Sequence, residues 1–198
     1  LLGHLGNAGA PVDGRWNLVH ATHTKPEELQ ALRAAQGAIV ICPSTEANLG
    51  DGVFDLPGYA AVHGTWSIGS DSHVTRRWSE ELRLLEYSQR LTLRKRNVAA
   101  QTMGPLSSAA ALVQAAMGGG THATGLALGG IAVGQRADFC VLDPQSPSLL
   151  GVPADHVLDA LVFSSPDARF ESVHVAGQPA HTHNDPGFVR AMHALWGA

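Results

Sequence analysis

With 198 residues, 44% of them hydrophobic, the chain is long enough for one large domain or for a medium domain with an appendage. Its formal net charge is −4, and the one basic run, RLTLRKRN at residues 90–97, closes a predicted helix where cations suit the helix dipole, which argues against nucleic-acid binding. No apolar run reaches the roughly 18–20 residues that cross a bilayer, and two cysteines make no disulfide framework.

In chain order, the opening LLGHLGNAGAPVDGRW has neither a charged n-region nor a hydrophobic block of signal type and no initiator Met. The sequence is therefore expected to begin part-way through a larger protein. RWNLVH (15–20) reads as a short buried strand. TKPEELQALRAAQG reads as a helix with Thr24 as N-cap, Pro26 in the first turn, Glu27 completing a capping box, and Gly37 as the stop. Leu29 and Leu32 share its apolar face. AIVICPS (38–44) is a continuous apolar run, expected as a strand buried on both faces. TEANLGDGVFDLPGYAAVHG begins as a polar, glycine-rich loop and ends in a short helix, and TWSIGSD (65–71) is the third strand. SEELRLLEYSQRLTLRKR (79–96) is a helix with acids early and bases late. SSAAALVQAAMGGG (107–120) is an alanine-rich helix capped by serine and stopped by its glycines. This alternation of strand and helix marks a parallel α/β architecture.

Beyond it the pattern changes. IAVGQRADFCVLD and ARFESVHVAGQPA read as short strands of a small β module, and DPGFVRAMHALWGA as a terminal helix capped by Asp185 or its predecessor. Cys42 and Cys140 sit in apolar strand runs and are expected to be buried thiols.

Parallel α/β folds gather ligands beyond the carboxyl ends of their strands. His20 in LVHATH, the loop PSTEANLGDG, and Asp71 in WSIGSDSHV occupy the three predicted strand ends. Each alone has a structural reading: His20 as a hydrogen-bonded residue, Asp71 as a turn former or cap, the loop as a turn. Together on one rim they are what proton transfer or metal binding requires. The eleven histidines, against two tyrosines, point the same way.

The run LVHATH, then CPSTEANLGDGVF, then IGSDSH and EELRLLEYSQRL, over about residues 1–120, resembles the C-terminal half of the formimidoylglutamate deiminases, in the metal-dependent amidohydrolase superfamily. LALGGIAVGQRADFCVLD is similar to the β segment that closes many amidohydrolases. The resemblance implies the C-terminal part of a (β/α)8 TIM-type barrel, strands six to eight over residues 1–122. A small β-sandwich module segment would follow over 123–182 and a terminal helix over 183–198. It places Asp71 as a metal ligand and catalytic residue at the end of the eighth strand, and His20 as the catalytic histidine at the end of the sixth. The cofactor implied is one zinc ion, other divalent metals being possible. Its remaining ligands, an HxH pair and a further histidine, together with a proton-shuttling glutamate, would precede Leu1. HTH at 181–183 follows the β module, and the spacing of His20 and His23 does not match that pair.

The activity implied is hydrolysis of N-formimino-L-glutamate to N-formyl-L-glutamate and ammonia, a cytoplasmic step of histidine degradation. Asp71 would take the proton of the metal-activated water, and His20 would stabilise the tetrahedral centre. His23, Glu46, Asn48 and His73 fall near enough in sequence to line the pocket, while Arg76 and Arg77 enter a helix as a solvated face. The partners expected are a small-molecule substrate, the missing N-terminal half of the barrel and a second copy in a homodimer, with neither nucleic acid nor membrane. Another amidohydrolase acting on aminopyrimidines or purines is the alternative. A truncated, inactive piece is a third reading, because one Asp and one His do not hold zinc tightly.

Overall fold

The computed structural model describes residues 11–104, 107–180 and 186–197. Three strands, β1 (Asn17–Val19), β2 (Ala38–Ile41) and β3 (Thr65–Ile68), form a parallel sheet in the order β1-β2-β3, with Asn17 opposite Ala38 and Ile39 opposite Trp66. The continuous apolar run of β2 suits a central strand covered on both faces, and Ile39 and Ile41 are fully buried. β1 departs from the expected buried strand. Among the described residues it pairs only with β2, and Val19 is 50% exposed on the open side.

Helix α1 (Pro26–Ala34) buries Leu29 and Leu32 as its pattern predicts, but its start lies one residue later than expected. Lys25 is the cap residue, and the carboxylate that reaches back is Glu28, accepting from the Lys25 N–H at 3.0 Å. Thr24 instead donates its hydroxyl to the Ala21 carbonyl at 2.7 Å, closing the turn that leaves β1.

The polar stretch after β2 is not a loop. It forms helix α2 (Pro43–Leu49), opened by proline at the first position and ended by Gly50 at φ 74°. Helix α3 (Leu56–Ala61) follows, where the Asp55 side chain accepts from the Gly58 N–H at 2.9 Å. Helix α4 (Trp78–Leu93) covers the sheet with Leu82 and Leu85 and also buries Glu81, Glu86 and Gln89. Each of the three polar groups is satisfied. Glu81 accepts from the Ser44 N–H at 2.9 Å and from its hydroxyl, Gln89 donates to the Phe54 carbonyl at 2.7 Å, and Glu86 meets Arg90 at 2.7 Å. Glu86 also accepts the first N–H groups of helix α5 (Val98–Met103), those of Val98 and Ala99, at 2.9 and 3.0 Å.

Helix α6 (Ser108–Thr124) starts as expected, with the Ser107 hydroxyl accepting from the Ala110 N–H at 3.1 Å. The glycines at 118–120 do not stop it; the helix runs on to Gly125 at φ 68°. Gly119 lies flat on β3, where a Cβ would run into the Trp66 carbonyl, so its role is close helix–sheet approach. Leu29, Leu32, Ile39, Ile41, Trp66, Leu82, Leu85 and Leu112 meet in one core between these helices and the sheet.

Strands β4 (Phe139–Leu142), β5 (Phe170–Val175) and β6 (Gln178–Pro179) form a separate antiparallel sheet. Between β4 and β5 the chain returns to the first layer through α7 (Val157–Asp159) and a π-helical turn, Ala160–Ser164. That turn inserts Val162 into the main core and stacks Phe163 on Tyr87 at 5.8 Å between ring centroids. Cys42 is buried just past β2, but Cys140 is exposed, since β4 carries little cover on either face. Helix α8 (Pro186–Trp196) ends the described chain, and Asp185, its expected cap, lies outside the described residues. Among the described residues no helix is long and apolar enough to cross a membrane.

Candidate active site

The carboxyl ends of β1, β2 and β3 open on one side of the sheet, as parallel pairing requires. His20 directly follows β1, and its N–H extends the ladder to the Val40 carbonyl at 2.9 Å. Its φ of 70°, and that of Ala21 at 54°, turn the chain sharply there, and Asp71, three residues past β3, has φ 40°. Non-glycine residues in this left-handed region cost free energy and collect where structure holds a side chain for a purpose.

The imidazole of His20 stands between two carboxylates. Its Nδ1 is 3.3 Å from Glu46 Oε1, and its Nε2 is 3.7 Å from Asp71 Oδ2. The second distance is too long for a direct hydrogen bond and leaves the two atoms facing a common space. Asp71 is 42% exposed at its side chain and His20 32%, so that space is reached from solvent. Glu46 is different: it is 4% exposed, and its Oε1 also accepts from the Cys42 N–H at 2.8 Å. Burial pushes its carboxyl above the ordinary glutamate range, against the Cys42 and His20 contacts that pull it down.

Two ties fix this arrangement. Ser44, in the first turn of α2, is bonded to buried Glu81 of α4, which sets the helix that carries Glu46. Thr45 meets Ser72 hydroxyl to hydroxyl at 2.9 Å and accepts from the Ser72 N–H at 3.3 Å, which fastens the loop holding Asp71.

Of the other residues marked in the sequence, His23 lines an open depression with His20, Thr22, Thr24 and Asp51. Asn48 and His73 are exposed. Arg76 and Arg77 border a different hollow, with Trp78, Leu161 and Phe170, that includes neither His20 nor Asp71. Sequence reasoning placed Glu46 near the pocket, within a loop. It missed that Glu46 points inward from a helix, and the only available signal was an acid following closely on a buried strand.

A catalytic zinc takes three protein ligands and keeps one position for water. Among the described residues no group of three His, Cys, Asp or Glu side chains could hold a metal ion. His20 and Asp71 converge as two donors, and Glu46 is committed to His20 and Cys42. The donor set therefore fits one side of a metal centre and not a whole one. His181 and His183 lie outside the described residues.

The sequence pattern of the amidohydrolase family matches residues 2–180. A formimidoylglutamate deiminase of Pseudomonas aeruginosa is 45% identical over 167 residues, covering 84% of this chain and 37% of the relative. A 5-methylthioadenosine/S-adenosylhomocysteine deaminase of Halalkalibacterium halodurans is 31% identical over 183 residues, covering 89% of this chain and 39% of the relative. The crystal structure of an amidohydrolase from Brucella melitensis superposes with a TM-score of 0.82 at 37% identity, over 99% of this chain and 43% of that one. An adenosine deaminase from Xanthomonas campestris, solved with bound zinc, superposes at 0.79 with 23% identity, over 99% of this chain and 44% of that one, a likeness of fold. The chain thus spans well under half the length of the relatives it matches. In sequence from residue 2 to residue 180, and in the fold of the described residues, this chain belongs to the amidohydrolase family.

Proposed function

We propose that this chain supplies one side of the active site of a metal-dependent deiminase, which hydrolyses N-formimino-L-glutamate to N-formyl-L-glutamate and ammonia. The observation that carries the reading is the approach of His20 Nε2 to Asp71 Oδ2, 3.7 Å apart across an accessible space at the strand ends. The 45% identity to a formimidoylglutamate deiminase favours this substrate over others of the superfamily. In this reading β1, β2 and β3 are the sixth, seventh and eighth strands of a (β/α)8 barrel, completed by residues outside this chain.

Asp71 is the group on this chain that would hold the metal, zinc in this proposal, with the remaining ligands contributed from outside the chain. When bound, such an ion supplies a water that ionises near neutral pH. Asp71, acceptor-only when ionised, takes the proton of that water. His20, on the opposite side of the space, accepts a hydrogen bond from the O–H of the attacking oxygen and orients it towards the formimino carbon as that carbon becomes tetrahedral. The proton that lets ammonia leave comes from an acid outside this chain. One water is consumed for each ammonia released.

The 31% identity to a 5-methylthioadenosine/S-adenosylhomocysteine deaminase supports a second reading, a purine-type deaminase. Ammonia release, measured on the completed barrel with zinc, decides between them. N-formimino-L-glutamate is expected to be turned over and 5-methylthioadenosine left intact; the reverse would replace the first reading by the second. The chain by itself is expected to be inactive, and turnover by it would contradict the need for further ligands.

A further inference from the structure

We propose that Glu46 is a positioning residue, which holds the His20 ring with its proton on Nδ1 and so presents an unprotonated Nε2 to the space shared with Asp71. This deepens the proposed deiminase reading and rests on it for the meaning of any change in rate.

The local geometry leaves little choice. Glu46 Oε1 receives the Cys42 N–H at 2.8 Å, and a backbone N–H only donates, so this oxygen is an acceptor. His20 Nδ1 lies 3.3 Å from the same oxygen. An ionised carboxylate oxygen only accepts, so with Glu46 ionised the contact is a hydrogen bond in which Nδ1 donates. In a neutral imidazole the other nitrogen then carries the lone pair, because the bond made by one nitrogen fixes the state of the other. Nε2 faces Asp71 Oδ2 at 3.7 Å, too far for the two to satisfy each other and near enough for one oxygen beside them to hydrogen-bond both.

The support is rigid. Glu46 is 4% exposed and sits on α2, whose first turn is bolted to α4 through Ser44 and Glu81. The His20 backbone is bonded to Val40 at 2.9 Å, and the turn after it is closed by Thr24. A buried carboxylate without such a task is costly to keep ionised, yet Glu46 is placed where a single oxygen serves both Cys42 and His20. Its direct neighbour is the histidine, not Asp71, so its effect on chemistry runs through the ring.

The test uses the completed barrel enzyme with its histidines labelled in the ring with 15N. The His20 signal is assigned as the one lost in His20→Asn. Nitrogen shifts are expected to show Nδ1–H at His20 in the unsubstituted protein and a shift of the population towards Nε2–H in Glu46→Ala. Between the same two proteins kcat is expected to fall about tenfold to a hundredfold, the size typical of residues that orient an active-site histidine, with KM little changed. Glu46→Gln keeps an accepting oxygen and nearly the same shape. It is expected to retain the Nδ1–H state and to recover most of the lost rate. An Nε2–H ring at His20 in the unsubstituted protein overturns the proposal. An unchanged ring state in folded Glu46→Ala, or a Glu46→Gln enzyme as slow as Glu46→Ala, overturns it as well. Failure of the deiminase reading shows separately, as absence of ammonia release from N-formimino-L-glutamate by the unsubstituted enzyme, while the nitrogen shifts still report on Glu46.

Discussion

His20 and Asp71 are 51 positions apart in the chain, yet their side chains come within 3.7 Å of one another. Two parallel strand pairings produce this: Val19 opposite Val40, and Ile41 opposite Ile68, bring the ends of β1 and β3 to one level on either side of β2. If Asp71 holds the metal and takes a proton, Asp71→Asn in the proposed completed barrel should lower turnover by about a thousandfold, the middle of the range for loss of a general base. Asparagine keeps a ligating oxygen but cannot receive the proton. Ammonia release at saturating N-formimino-L-glutamate measures this, and an unaltered rate would refute the assignment.

His20→Ala separates two roles for the imidazole. As a group that orients the reacting oxygen without ligating, it should cost about a hundredfold or more in turnover while bound zinc, measured by elemental analysis, stays close to one per chain. Metal lost in step with activity would make His20 a ligand instead.

Much of this arrangement was legible because continuous apolar runs declare buried parallel strands, and positions just past such strands declare a rim. RWNLVH and AIVI declared β1 and β2 and TWSIGSD the third strand, and His20 and Asp71 followed from where the first and third of these stop. Helix α2 was not legible. PSTEANL has no apolar stripe, and its helix is held by Ser44 on Glu81 and by Glu46 on the Cys42 N–H, contacts that exist only after folding. The glycines at 118–120 misled for the opposite reason: as local signals they end a helix, but Gly119 answers to the Trp66 carbonyl of another element. Cys140 has the apolar neighbours of a core strand, whereas β4 lies in a thin three-stranded sheet that leaves it exposed.

Glu86 ties α4 to α5. Fully buried, it accepts from Arg90 at 2.7 Å and from the Val98 and Ala99 N–H groups at 2.9 and 3.0 Å. Glu86→Ala breaks the ion pair with the partly exposed Arg90 and strands two buried helix-start donors, so a loss of about 2–4 kcal/mol is expected. Urea unfolding measures it. Glu86→Gln, which keeps one accepting oxygen, should lose less, and an alanine variant as stable as the parent would show that water replaces the carboxylate.

Cys42 offers a pH-dependent readout that does not depend on activity. Burial pushes its thiol up to about 12, and the negative charges of Glu46, Asp71 and Glu81 add to the effect, while a backbone hydrogen bond involving Gly69 opposes it. The thiolate is the reactive form, so at pH 8 Cys42 in the native protein should resist iodoacetamide and become labelled in urea, as peptide mass spectrometry would show. The sign of the stability effect follows from proton counting. Between the ordinary cysteine value of 9.0 and about 12 the unfolded chain has released a proton that the folded chain still holds. Fewer protons on the unfolded state mean that stability falls as pH rises through that window. Cys42→Ala should therefore flatten the decline of Tm between about pH 9 and 10.5 relative to the parent. Equal slopes, or native labelling at pH 8, would mean that solvent reaches the thiol and that the floor beneath Glu46 is open.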